Sequence, residues 1–263
     1  MENTANTVEQ PEAVGKASAA KGITGSSLKM IAIITMFIDH SAAIILERII
    51  WSQEVFSGTL YWVYLIMRMI GRLGFPIFCF LLIEGFCHTR NVKKYAGRLF
   101  LFALISEIPF DLGFAGTIFY GQYQNVFFTL LIGLLVLICF RLLEKKQEKN
   151  RTLCFILNFL ILVGGIVLAD LLMTDYGGMG VLTIVCMYLF RRNKALEAGI
   201  GCMVLTIMSW SEITSFSILL PIRRYNGERG WNMKWFFYVF YPAHILLLYL
   251  VAYAMGLGEI MLR

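Results

Sequence analysis

From Phe127 to Phe140 the chain reads FFTLLIGLLVLICF, fourteen residues without a charge, and apolar runs of this kind recur between residues 28 and 256. In lipid such a run must satisfy every backbone N–H and C=O within itself, as an α-helix does. Crossing a hydrocarbon core of ~30 Å takes about 20 helical residues. Composition points the same way: 59% of residues are hydrophobic and 15% charged, against about 25% charged in a soluble domain. The expected fold class is all-α, a polytopic helical bundle integral to a membrane.

Nine membrane-crossing segments are read at 28–47, 60–88, 95–114, 125–143, 153–173, 178–190, 195–210, 211–220 and 235–256. The second is long and broken by Gly71, Gly74 and Pro76, so its first half is open to an interfacial or re-entrant course. The eighth is the shortest. With nine crossings, nineteen of the 23 lysines and arginines fall on one side. Short basic loops stay in the cytoplasm, which puts the N-terminus inside and the C-terminus outside. This asymmetry accounts for the net charge of +6 without a nucleic-acid partner. Residues 1–27 are polar, poor in aromatics and read as a disordered cytoplasmic tail. They lack the charged start and apolar run of a signal peptide, so the first span serves as the insertion signal. Residues 28–256 form the membrane domain, and 257–263 a short C-terminal tail.

Against this apolar background the ionisable residues stand out. Lys29 and His40 share the first span, with Asp39 beside the histidine. Eleven steps at ~100° return them to nearly the same helix face, ~16.5 Å apart. One cation then sits at the membrane surface and one titratable base near the midplane, where an ionisable group is a functional candidate by default. The near-neutral pKa of histidine suits a general base. Asp39 either orients that ring or, because helix neighbours point ~100° apart, bonds another span. His244, ten residues into the last span after Lys234, lies ~15 Å deep. It follows Tyr241 and Pro242, and either shares a cavity with His40 or is a satisfied histidine at a proline kink. Arg68 and Arg72 are one helical turn apart, a spacing that forks a phosphate or carboxylate; the alternative is snorkelling to the interface.

The acids Glu84, Glu107 and Asp111 each need a partner inside the membrane. The candidates are Arg68, Arg72, Arg98 and the histidines. Asp170 and Asp175, ahead of Tyr176-Gly177-Gly178, read as turn and capping residues. The six cysteines form no CxxC and have no histidine at metal spacing, so neither a disulfide set nor a metal site is expected; they read as small buried hydrophobes. There is no phosphate-binding P-loop, no GxSxG elbow and no HExxH.

At these residues the chain resembles the TraX family, membrane proteins named for the conjugative-pilin N-acetyltransferase. The stretches that carry the resemblance are LKMIAIITMFIDH (28–40), the run from Gly71 to Phe114 beginning GRLGFPIFCFLLIEGF, QNVFFTLLIGLL (124–135), TDYGGMGVL (174–182) and RGWNMKWFFYVFYPAHILLLYL (229–250). The first span is also similar to a wider group of transmembrane acyltransferases that carry a basic residue, ten residues and a histidine, as Lys29 and His40 do. That group often adds an arginine pair with two residues between; Arg68 and Arg72 have three. The resemblance implies acyl transfer from cytosolic acetyl-CoA to an acceptor at the membrane or outer face, in a bacterial inner (plasma) membrane. On this reading His40 is the base and Asp39 its orienter. Lys29, Arg68 and Arg72 meet the CoA phosphates, the acceptor enters near Glu107, Asp111 and Tyr241, and Glu84 and His244 complete the surroundings of the substrate. The acceptor is a pilin-like peptide, a glycan or a small amine, and no metal is required. The same buried His, Asp and Glu residues would also serve a proton-coupled secondary transporter.

Overall fold

The structure, a computed structural model, describes residues 22–53, 57–146, 150–232, 234–260 and 262. The described part is all-helical, apart from loops and two isolated bridges, Ile23 to Tyr225 and Gln124 to Thr174. Helix α1 runs Gly25–Ser52. It starts where the Thr24 hydroxyl accepts the Ser27 N–H at 3.3 Å, a side-chain cap for a helix end with orphan donors. Residues Ala42–Leu46 of α1 form a π-helical turn that starts two residues after His40, a feature often found at functional sites. The span read as broken is two helices, α2 Gly58–Gly71 and α3 Gly74–His88, joined across Arg72 and Leu73. There follow α4 Val92–Ala115, α5 Val126–Lys146, α6 Arg151–Leu171, α7 Gly177–Leu189 and α8 Lys194–Met208. A 3-10 stretch Trp210–Ile218 leads into the one-turn α9 Leu219–Arg223, and α10 Lys234–Ala254 closes the bundle.

Five stretches are long and apolar enough to cross a membrane: Gly25–Ser52, Gly58–His88 (α2 and α3 taken together), Val126–Glu144, Arg151–Leu171 and Lys234–Ala254. The other segments read from the sequence are helical too, but shorter or more polar. Helix α4 has 24 residues and carries Lys93, Lys94, Arg98, Glu107 and Asp111; α7 has 13 and α8 has 15.

Of the N-terminal tail read as disordered, residues 1–21 lie outside the described residues. Residues 22–27 are held: Ile23 donates to the Arg224 carbonyl at 2.8 Å and accepts from Asn226 at 3.0 Å, and α1 begins at Gly25. The C-terminal end is held as well, with Leu262 N–H on the Phe114 carbonyl at 3.2 Å.

Lipid offers little hydrophobic drive between helices, so close packing of small residues matters more. Gly133 of α5 faces Ile184 of α7, Gly165 of α6 faces Val136 of α5, and Gly201 of α8 faces Met187 of α7. Helices α2 and α3 lie along α1, while α10 packs on both α1 and α4. The loops sort to two ends. At one end the start of α1 joins the 224–231 loop, and Lys194 Nζ donates to the Tyr225 carbonyl at 3.0 Å. This end gathers Arg90, Arg191, Arg192, Arg224 and Arg229 and is the basic end. At the opposite end Arg48, fully buried, donates to the carbonyls of Ile44, Gly113 and Ile260. Proline 242 leaves α10 unbroken. All six cysteines are free; Cys79 and Cys202 are buried, whereas Cys87 and Cys139 are exposed, not the buried packing groups the sequence suggested.

Candidate functional site

The contact that organises the interior joins α1 to α10. His40 Nδ1 lies 2.7 Å from His244 Nε2, and both side chains are buried. The rings are parallel within 2° with centroids 5.0 Å apart, the separation of two imidazoles joined edge to edge by one hydrogen bond. His244 Nδ1 in turn donates to the Phe240 carbonyl at 2.7 Å. That bond assigns the proton of neutral His244 to Nδ1 and leaves Nε2 an acceptor. The proton between the rings therefore belongs to His40 Nδ1, and His40 Nε2 carries a bare lone pair. Aromatic rings enclose the pair: Phe114 and Tyr241 stand edge-on to His40 at 5.7 and 6.0 Å, and Phe240 stacks on His244 at 4.7 Å. A dry enclosure of this kind strengthens the hydrogen bond.

Asp39 does not serve this ring. It points to α2, where Arg68 Nη1 donates to Asp39 Oδ2 at 2.5 Å. The ~100° step between helix neighbours is the reason, and His244 holds the orienting position expected of Asp39. Gly71 makes the approach possible, since a Cβ at that position would overlap the Asp39 carboxylate. One turn on, Arg72 Nη1 pairs with Glu212 Oε1 at 3.2 Å. Glu212, completely buried in the 3-10 stretch, was not singled out from the sequence; a lone acid in the apolar stretch WSEITSF was the available signal. Tyr64 extends the same α2 stripe and donates to Glu47 at 3.0 Å. Arg68 and Arg72 thus face carboxylates inside the bundle.

A cavity of about 690 Å³ opens at the basic end. Its mouth carries Lys29, Arg90, Arg98, Arg229 and Lys234 against one carboxylate, Glu84. Its deep wall is made by Met36, Val126, Phe127, Leu130 and Tyr241. Val126 and Phe127 belong to the first turn of α5, which begins at the opposite end, so the cavity penetrates most of the bundle. Met36 is one helical turn before His40, and Tyr241 touches both cavity and histidine. Neither Arg68 nor Arg72 lines the cavity. The mouth is fixed in place by backbone bonds: Gly25 N–H to the Glu228 carbonyl at 2.8 Å and Ser26 N–H to the Arg229 carbonyl at 3.0 Å. Arg229 entered the sequence reading only as a topology signal, and Lys234 as that and as the marker from which the depth of His244 was counted.

Of the remaining acids, Glu84 finds a histidine, as the candidates allowed, while Glu107 and Asp111 find partners outside the candidate set. Glu84 pairs with His88, one turn along α3, at 3.9 Å. Glu107 is bonded by the Asn125 amide, and Asp111 accepts the Tyr120 N–H at 2.8 Å. Loop 116–125 at the opposite end supplies both partners, a pairing that helix spacing cannot reveal. Asp170 caps α7 through the Gly178 N–H at 2.6 Å, while Asp175 accepts the Tyr123 hydroxyl at 2.6 Å. Next to it Tyr176 adopts a left-handed backbone, φ 63°, and stacks on Phe75 at 3.8 Å.

These features sit within one matched region. A family model described as TraX protein covers residues 24–252. A protein of Dichelobacter nodosus described as probable fimbrial assembly protein FimC, serogroup H1, is 35% identical over 247 residues, 84% of this chain and 92% of its own length. No solved structure matches the chain. The chain belongs to the TraX family.

Proposed function

We propose that this protein is a membrane-embedded acyltransferase that moves an acetyl group from cytosolic acetyl-CoA to an amine or hydroxyl acceptor at the membrane or outer face. The observation that carries the reading is one cavity with five cations at its mouth and a buried base just beyond its deep wall. A thioester on a phosphorylated carrier has that polarity: an anionic head and a long, mostly neutral arm. On the nine-crossing reading of the sequence, with its short basic loops inside, the basic mouth faces the cytoplasm, where acetyl-CoA is, in a bacterial inner membrane. Lys29, as expected from the sequence, and Arg98, Arg229 and Lys234 meet the phosphates, while Arg68 and Arg72 hold the scaffold around Asp39.

In the reaction the acceptor nitrogen or oxygen attacks the thioester carbonyl. Its proton passes to His40 Nε2, the C–S bond breaks, and CoA leaves as the thiolate. The imidazolium that forms on His40 donates through Nδ1–H to His244, which disperses the charge. A pilin-like peptide is the favoured acceptor, on the strength of the family and of the relative's description as a fimbrial assembly protein; a glycan or a small amine is the other class. Acceptor access from the opposite end runs past Asn125, Glu107 and Asp111.

Binding tests the donor side. CoA should raise the melting temperature of the detergent-purified protein in a salt-sensitive way. Arg229→Ala and Lys29→Ala should each weaken CoA by about five- to tenfold, as loss of one charge-assisted contact does. Pantetheine, which lacks the nucleotide phosphates, should be indifferent to both substitutions. A proton-coupled transporter would ignore CoA and show flux that follows the proton gradient in liposomes; that pair of results would replace this reading.

A further inference from the structure

A second cleft lies at the basic end, between the end of α3, the 89–91 turn and the facing side of α5. We propose that it binds the headgroup phosphate of an anionic phospholipid, with the acyl chains lying along α5. The cleft encloses about 190 Å³ and is lined by Phe86, Thr89, Arg90, Val92, Ile138, Arg141 and Leu142. It adjoins the large cavity, with which it shares Thr89 and Arg90, but opens on the other side of them: its α5 wall is the Ile138–Leu142 turn, two turns or more beyond Leu130.

Three properties fit a lipid. The first is charge. Two guanidinium groups border the cleft, and neither pairs with a carboxylate among the described residues. Glu144, exposed one turn along α5, is not part of its lining. The second is preorganisation. Arg141 lies over the Phe86 ring, 3.6 Å from its centroid, and donates through Nη2 to the Phe86 carbonyl at 3.2 Å. Its plane is therefore fixed while its other N–H groups remain for an anion, and a fixed guanidinium loses less entropy on binding. The third is the apolar flank. Leu142 is 54% exposed and Ile138 half-buried, on the surface α5 presents to lipid. A soluble phosphate has no use for that wall; two acyl chains do. Basic pockets between spans near a membrane surface suit anionic headgroups, with about one kcal/mol, or fivefold, per arginine.

The test is native mass spectrometry of the full chain in detergent, with phosphatidylglycerol and phosphatidylcholine supplied equally. One phosphatidylglycerol should be retained about tenfold or more in preference to phosphatidylcholine. Arg90→Ala should lower that preference about fivefold, as should Arg141→Gln. Arg90 is exposed, so its variant keeps the test alive if Arg141→Gln does not fold. Inorganic phosphate in large excess should leave the lipid bound. Equal retention of the two lipids, variants that bind as wild type, or displacement by inorganic phosphate would each overturn the proposal. The last would make the cleft a soluble-anion site.

Discussion

His40→Ala lowers acetyl-group turnover by about 10²- to 10⁴-fold, the usual contribution of a positioned general base, and leaves the affinity for CoA unchanged. The split follows from the geometry. The cations stand at the mouth, whereas His40 lies beyond the deep wall, one turn past Met36. Steady-state thiol release and CoA-induced stabilisation, measured on the same preparation, separate the two effects. A loss of CoA binding together with turnover would mean that His40 supports the cavity and not the chemistry. The companion variants act on the proton between the rings. His244→Leu removes the acceptor of His40 Nδ1–H, lets the tautomer invert, and lowers kcat by about 10²-fold. The loss is smaller than the ~10⁴ seen when a serine protease loses its tautomer-setting carboxylate. His244→Gln supplies a carbonyl acceptor and recovers most of the rate. A structural role alone would not distinguish leucine from glutamine in kcat at matched folding.

The second large effect is on stability. Glu212→Ala takes from the Arg72 guanidinium its carboxylate partner in the bundle interior, leaving it the Tyr176 hydroxyl, and breaking a buried pair costs about 3–5 kcal/mol. Arg72 retains some exposure, 23% of its side chain, so the lower figure applies. For a chain of this size about 3 kcal/mol lowers the melting temperature by about 6–12 °C. Replacing both partners together, Arg72→Met with Glu212→Leu, removes the unpaired charge and restores most of the loss, because an ion pair in a dry interior is often no better than apolar packing. The double variant also decides what Arg72 does. It binds CoA like wild type if the arginine belongs to the scaffold, and loses CoA affinity if the arginine reaches a donor phosphate in a conformation other than the one described.

The features legible in the sequence are those set by local rules. Apolar runs of sufficient length become helices wherever they fall, and the glycines at 71 and 74 mark the break between α2 and α3. The eleven-residue spacing from Lys29 to His40 puts the first at a cavity mouth and the second near its floor, since helix geometry fixes both depth and face. The common depth of His40 and His244 was readable from their distances to Lys29 and Lys234. Their hydrogen bond was not, because it depends on how α10 packs against α1.

What stayed hidden is the pairing of groups distant in the chain. Asp39 had two open partners by sequence, and only the α1–α2 approach at Gly71 selects Arg68. Glu212 entered no candidate set because the stretch around it was read for span length alone. Glu107 and Asp111 were matched to arginines and histidines on charge, yet both are satisfied by loop 116–125, through an amide and a backbone N–H. Charge complementarity ranks partners only when several are within reach, and the fold decides which are. The basic mouth of the cavity was missed for a related reason. Arg98, Arg229 and Lys234 counted toward orientation, and one positive side of a membrane protein looks like another until three separate segments are seen to surround one opening.

The measurement that bears most directly on the whole account is thiol release from acetyl-CoA by the purified wild-type protein in lipid nanodiscs, with CoA stabilisation read alongside. The account predicts that CoA stabilises the protein and that acetyl-CoA is turned over, slowly with water and faster when an amine acceptor is added. The absence of both, no stabilisation by CoA and no thiol release above the spontaneous rate, would contradict it.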